Sequence, residues 1–372
     1  MRTMPRAAIG AVLVVALAGP VPAAAADHAD RRDVQRALDR IVEADGLPGA
    51  QAVLTWRGRS WEITSGVGDL RTGRPFPPES RVRIGSNTKP FVATVVLQLV
   101  AERRVDLDAP IERYLPGVVR GNGNDGSRIS VRQLLQHTSG LHDYVAVLHP
   151  DPEAWRWRHF EPAELVRLAL AHPPHFEPGA KWEYSNTNYQ LAGMLIEKLT
   201  GNPVGAEITR RVIRPLGLRA TYYPHPRELG IRGPHPRGYA EIDGRRVDFT
   251  LMDPSWAGAA GAMVASGAEL NRFFTALLAG RLLPAAQLAE MKRTVPADVP
   301  IAGARYGLGL IDIPLSCGGR FWGHGGSIDG FRTRGGVTAD GRAVNVAVNQ
   351  LPTTEQGDTD VMRAVDTALC PQ

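Results

Sequence analysis

The chain has 372 residues, 43% of them hydrophobic, and a formal net charge of +5. That length and apolar content suit one large domain or two interlocked ones. Acidic and basic residues interleave with no basic run, so the surplus reads as a solvated surface, and nucleic acid is excluded as an expected partner.

The chain opens with Arg2 and Arg6, an apolar run from Ala7 to about Leu17, and small residues ending at Ala24-Ala25-Ala26. This is the order of a secretory signal over residues 1–26, cleaved after Ala26. The run falls short of the about 20 residues that span a bilayer, so the expectation is a secreted protein, extracellular or in the cell wall, with no stable membrane anchor. The two cysteines, Cys317 and Cys370, are expected to form a disulfide after export.

Next come two β-prone stretches, AQAVLTWRG and SWEITSGVG, joined by Arg57-Gly58-Arg59, which read as a hairpin. From Pro90, PFVATVVLQLVAERR is a continuous apolar stretch that predicts a buried helix. SVRQLLQH, EPAELVRLALAH and NYQLAGMLIEKLTG predict amphipathic helices, the last stopped by Gly201. In SGAELNRFFTALLAG, Ser266 and Glu269 have capping-box spacing, and the helix is expected to end at Gly280. After about residue 300, YGLGLIDI, RFWGHGG, GFRTRGGVT and AVNVAVNQ predict strands, Leu351-Pro352-Thr353-Thr354 a loop, and about Thr359 to Leu369 a last helix.

Strands at both ends of the chain and helices between them predict an α/β (α+β) sandwich. Its antiparallel sheet is formed from both chain ends, about 35–85 and 300–372, and flanked by helices. An all-helical insertion spans about 105–295, and a cleft between the two parts is the expected site.

Three stretches carry candidate chemistry. Only four of the 43 basic residues are lysines, and Lys89 stands three residues after Ser86 in IGSNTKPF. At a helix start that spacing brings hydroxyl and amine to one face, and a desolvated amine is neutral enough to take the hydroxyl proton. In WEYSNTNYQ, Tyr184 and Asn186 share one side of an extended segment, the phenol suited to proton shuttling and the carboxamide to holding an amide. In RFWGHGGSIDGF, His324 precedes two glycines that allow a substrate backbone close to a strand edge. Each stretch also has a plainer reading: a capped helix with a surface lysine, a core aromatic with a capping Asn, and a glycine-rich hairpin. The ten histidines look scattered, with no ligand-like His/Cys spacing, so no metal and no other cofactor is expected.

Together, Ser86–Lys89, then Tyr184-Ser185-Asn186, then His324-Gly325-Gly326 resemble the motifs of the serine β-lactamase and penicillin-binding protein superfamily, on its class C side. The chain looks most similar to secreted actinomycete D-alanyl-D-alanine carboxypeptidases from about residue 35 to the end. VDLDAPIERYLPG, ISVRQLLQHTSGLHDY, YSNTNYQLAGMLIEKLTG, YGLGL and LSCG share in the likeness.

The resemblance implies a β-lactamase/transpeptidase-like fold and a Cys317–Cys370 bond. It also implies roles: Ser86 as nucleophile, Lys89 as its base, Tyr184 as proton relay, and His324 where other branches carry lysine. Asn186 would hold the substrate's side amide, and Trp256 would line the cleft. The N–H groups of Ser86 and Ser327 would form an oxyanion hole beside Gly326. The implied activity is D-Ala-D-Ala carboxypeptidase action on peptidoglycan stem peptides through an acyl-enzyme, with β-lactams as covalent inhibitors.

The chain departs from the likeness in two ways. Gly325 replaces a threonine whose hydroxyl helps grip the substrate carboxylate, and Ile311, followed by Asp312, stands where relatives carry an arginine for the same group. Arg320, Arg332 and Arg334 are the candidate replacements. The weakened grip keeps a second reading open, that of an esterase, D-amino-acid amidase or peptidase, or weak β-lactamase of the same fold. A third reading is a non-catalytic binder of peptidoglycan fragments.

Overall fold

The structure, a computed structural model, describes residues 23–148, 152–299 and 301–370. Most of the expected leader lies outside these residues, and its expected cleavage point falls inside the first helix, α1 (Ala23–Glu43). No helix among the described residues is long and apolar enough to cross a membrane.

The first hairpin is β1 (Gly49–Trp56) and β2 (Arg59–Gly66), closed with Trp56 opposite Arg59. Arg57 and Gly58 have φ of 48° and 75°, so both corner residues take the left-handed conformation of a tight hairpin turn. Seven later strands complete one antiparallel sheet: β3 (Val295–Pro296), β4 (Arg305–Tyr306), β5 (Ile311–Pro314), β6 (Arg320–Gly323), β7 (Gly326–Ile328), β8 (Phe331–Thr338) and β9 (Ala343–Val348). The order is β2-β1-β9-β8-β6-β5-β4-β3, with β7 also on β8. The two ends of the chain meet where β1 pairs β9, Ala50 facing Val348.

Helices cover both faces. On one, Val34, Leu38 and Ile41 of α1 and Val361, Val365 and Leu369 of α7 (Glu355–Leu369) bury Ala50, Ala52, Val344 and Val346. On the other, α6 (Gly267–Leu278) crosses β1, and Asn271 Nδ2 donates to the Val53 carbonyl at 2.8 Å. Phe273 of α6 stacks on Phe91 of α2 (Thr88–Ala101), ring centroids 3.7 Å apart, fixing α2 under the sheet. The bond between Cys317 and Cys370 forms, Cα atoms 5.8 Å apart, and ties the β5–β6 loop to the end of α7.

Local sequence explains several helix ends. Before α3 (Val131–Leu135), Ser130 and Gln133 form a reciprocal capping box. Past α4 (Pro162–Leu170), α5 (Thr187–Thr200) stops at Gly201, where φ is 72°. Ser266 caps α6, but Glu269 does not complete that box: its carboxylate accepts from the N–H groups of Arg219 and Ala220 and from Thr221 Oγ1. Helix α7 starts at Glu355, four residues before its expected start, because Thr354 Oγ1 caps it through the Gly357 N–H. Leu351 to Thr354 is a loop. The helical section also holds two short ladders that the sequence patterns do not announce, Arg120–Gly121 with Asn124–Asp125 and Tyr239–Ile242 with Arg245–Asp248. A third, Arg81–Arg83 with Val264–Ser266, precedes the Ser86 turn.

Candidate active site

Ser86 sits in the 3-10 turn Gly85–Asn87 that runs directly into α2. Lys89 is one turn on, fully buried, and its Nζ lies 3.1 Å from Ser86 Oγ, 2.8 Å from Asn186 Oδ1 and 2.9 Å from the Ala260 carbonyl. Burial lowers the Lys89 pKa to about 7, the Asp143 carboxylate opposing the shift. The amine is therefore uncharged in a large fraction of molecules near neutrality.

Tyr184 lies in the stretch just before α5, and its hydroxyl is close enough to Ser86 to bear on the phenol's ionisation. Lys89 Nζ is 4.7 Å from the Tyr184 ring centroid. Burial pushes the phenol pKa up, with Ser86 opposing it, so the ring keeps its proton. Asn186 is already helical (φ −67°, ψ −24°) rather than extended, which aims its amide inward. Its Oδ1 accepts from Lys89 and its Nδ2 donates to Asp143 Oδ2 at 2.8 Å. One lone pair and one hydrogen of the carboxamide remain for a ligand.

His324 is 3% exposed and bonded through Nε2 to the Tyr306 hydroxyl at 3.0 Å. Burial, then the nearby Lys89, lower its pKa to about 3, so the ring is neutral at working pH. That removes the cationic role of a lysine at this position and leaves a hydrogen-bonding one. Gly326 and Ser327 lie on β7 against the Ser86 turn. A β-carbon on Gly326 would stand 1.8 Å from the Ile84 carbonyl oxygen, and one on Gly85 (φ 50°) would stand 2.8 Å from Ser327 N. Two glycines thus let the Ser86 turn and the Ser327 strand pack backbone against backbone.

Ser86, Tyr184, Asn186, His324 and Ser327 line one cleft of about 530 Å³, with Lys89 fully buried behind Ser86. Trp256 joins them while remaining 9% exposed, its ring 4.5 Å from that of Trp155. Both readings of Trp256, core and cleft wall, therefore hold. Ile311 lines the same cleft with Val145, Ile313 and Phe321. Asp312 faces away, its Oδ1 accepting from Arg320 Nε at 2.7 Å, so it presents no free carboxylate to a substrate. A separate cleft of about 640 Å³ behind α5 contains none of the predicted site residues.

Three contributors escape a reading of the sequence. Asp143, within the LHDY stretch, orients Asn186. His137 is buried and stacks on Tyr184, centroids 4.2 Å apart, while its Nδ1 accepts from the Ser185 N–H at 3.2 Å. Tyr144 donates to the Trp256 carbonyl at 2.6 Å. Each acts through contacts made across 43 to 112 residues of chain, for which spacing gives no sign. The histidines are also less scattered than expected: His142 stacks on His172, and its Nδ1 is 2.7 Å from His175 Nε2. Even so, no group of three or more His, Cys, Asp or Glu among the described residues is placed to hold a metal ion.

Comparison with known proteins gives the same fold. A D-stereospecific amidohydrolase from Streptomyces sp. superposes with a TM-score of 0.83 at 42% identity, covering 90% of this chain and 98% of that one. The D-amino acid amidase of Ochrobactrum anthropi SV3 superposes with a TM-score of 0.77 at 30% identity, covering 91% and 99%. Esterase EstB of Burkholderia gladioli is 29% identical over 323 residues, 76% of this chain and 80% of the esterase. The Beta-lactamase family profile matches residues 34–369, and with a buried lysine against a serine at the head of α2 in a mixed α/β fold, the chain belongs to that family.

Proposed function

We propose that the protein hydrolyses amides and esters of D-configured amino acids through an acyl-enzyme on Ser86. The observation that carries this reading is the buried Lys89 amine, its pKa lowered to about 7, at 3.1 Å from Ser86 Oγ. Neutral Lys89 takes the hydroxyl proton as Oγ bonds to the substrate carbonyl carbon. The carbonyl oxygen, now negative, accepts from the N–H groups of Ser86 and Ser327. Tyr184 passes the proton to the leaving nitrogen or oxygen, and the scissile bond breaks. Water then attacks the ester on Ser86, its proton leaves by the same route, and the acid is released.

The Streptomyces amidohydrolase and the Ochrobactrum amidase support a D-amino-acid substrate, and EstB supports ester turnover. The cleft wall of Val145, Ile311, Ile313 and Phe321 suits a bulky apolar side chain. The test compares release of ammonia from D- and L-phenylalaninamide by wild type and by Ser86→Ala. Release that is D-selective and lost in the variant is expected. Release that survives the substitution removes the mechanism, and equal rates on both isomers remove the D-assignment.

A second reading is favoured by Arg334, which stands in the cleft with no carboxylate partner among the described residues. It is secreted D-Ala-D-Ala carboxypeptidase action on peptidoglycan peptides, with β-lactams acylating Ser86. D-alanine release from a diacetyl-L-lysyl-D-alanyl-D-alanine peptide, faster than phenylalaninamide turnover, would favour it over the first.

A further inference from the structure

We infer that Tyr306 is a positioning residue: by donating to Nε2, its hydroxyl holds His324 with the ring proton on Nδ1, and the ring so held fixes the Gly325 carbonyl at the entry to β7. The inference deepens the hydrolase reading and rests on it.

The tautomer follows from the two partners of the ring. His324 Nδ1 lies 2.5 Å from the Gly325 carbonyl oxygen, and Nε2 lies 3.0 Å from the Tyr306 hydroxyl. A carbonyl oxygen only accepts, so Nδ1 carries the hydrogen. A neutral imidazole has one N–H, so Nε2 is bare and accepts from the phenol. The ring is neutral because burial, then the nearby Lys89, lower its pKa to about 3. Both nitrogens are thus spent inside the protein. His324 lines the cleft, yet it acts on the strand that follows it rather than on a substrate.

Strand register shows why a tyrosine makes this contact. Tyr306 on β4 faces Ile311 on β5, and Ile311 faces Gly323 on β6, the residue before His324. Two strand spacings amount to about 9–10 Å, a gap that calls for a long side chain. The phenol is also held firmly. It is fully buried, with its centroid 4.9 Å from that of His137 and 5.6 Å from that of Trp182.

The clamp falls where the chain has least stiffness of its own. Gly325 and Gly326 have no β-carbon to restrict them, and Gly326 must pass close to the Ile84 carbonyl. Ser327, the proposed oxyanion donor, comes next. An imidazole tied to the Gly325 carbonyl supplies the restraint that the two glycines lack, and Tyr306 keeps that imidazole in the one form able to donate to a carbonyl.

The test reads the ring nitrogens of His324 by long-range proton–nitrogen NMR of nitrogen-15-labelled protein, the signal being identified by its loss in His324→Asn. Wild type at pH 7 should show a protonated Nδ1 and a bare Nε2. In Tyr306→Phe the Nε2 resonance should move, because its donor is gone, and kcat/KM on p-nitrophenyl acetate should fall about tenfold. The amide nitrogen of asparagine reaches as far as Nδ1 and that of glutamine as far as Nε2. His324→Asn should therefore keep at least about fivefold more ester turnover than His324→Gln. A protonated Nε2 beside a bare Nδ1 in wild type overturns the assignment, and that measurement needs no variant. An unmoved Nε2 resonance or unchanged kcat/KM in Tyr306→Phe overturns it too, as does glutamine serving as well as asparagine. Failure of the hydrolase reading looks different: ester turnover would then survive Ser86→Ala.

Discussion

His137 lies flat on Tyr184, ring centroids 4.2 Å apart and planes 30° from parallel, so the phenol beside Ser86 is held from behind by a fully buried imidazole. Burial and the nearby Lys89 push the imidazole pKa well down, which keeps a second cation out of the site. Its Nδ1 also accepts from the Ser185 N–H and Asn188 Nδ2, both at 3.2 Å. His137→Phe keeps a stacking ring and removes a buried Nε2–H that has no partner among the described residues, but it leaves the two donors that share the Nδ1 lone pair without it, at a net cost of about 1 kcal/mol. Thermal denaturation should show a lowered midpoint, together with reduced kcat from a less ordered Tyr184. An unchanged midpoint would mean that the imidazole contributes only bulk.

The pH dependence follows from Lys89. The amine must be neutral to accept a proton, and its pKa is lowered to about 7 by burial. Activity is therefore small on the acid side and rises as pH passes through about 7. His324, at about 3, and Tyr184, pushed up, do not change charge in that range. A profile of kcat/KM should show one rising limb near 7 and a plateau to at least pH 9. A falling limb below pH 8 would assign the base elsewhere.

Lys89→Arg keeps the charge and most of the length but cannot deprotonate. Loss of a general base of this kind costs about 10²–10⁴-fold. Ester turnover should fall by that factor at pH 7, and raising the pH should not restore it. Recovery at pH 10 would show that the amine is not the base.

Gly326→Ala probes the strand edge. The added carbon would meet the Ile84 carbonyl oxygen at 1.8 Å, so β7 must move away from the Ser86 turn. Displacing one oxyanion donor costs about 10²–10³ in kcat. The variant should lose kcat on this scale while circular dichroism still reports folded protein. Near-normal kcat would exclude Ser327 N–H as a donor.

Much of this architecture was legible in the chain. The Arg57-Gly58 turn, the apolar α2, the Gly201 stop and the Cys317–Cys370 pair all rest on local chemistry or on a simple count. So did the Ser86–Lys89 contact, because three residues at a helix start are neighbours in space. What escaped was set by the tertiary fold. Nothing near Glu269 announces that it will serve the loop at Arg219 to Thr221 instead of its own helix start. Nothing near Arg334 announces that strand register will set it against Gly325, nor does LHDY show that Asp143 will hold Asn186.

The central claim is a covalent ester on Ser86, formed with Lys89 as base. Intact-mass spectrometry of protein acid-quenched during turnover of a D-phenylalanine ester tests it most directly. The account predicts one added D-phenylalanyl mass per protein molecule, absent in Ser86→Ala and strongly reduced in Lys89→Arg. Turnover with no adduct at any quench time, or an adduct that persists in Ser86→Ala, would contradict it.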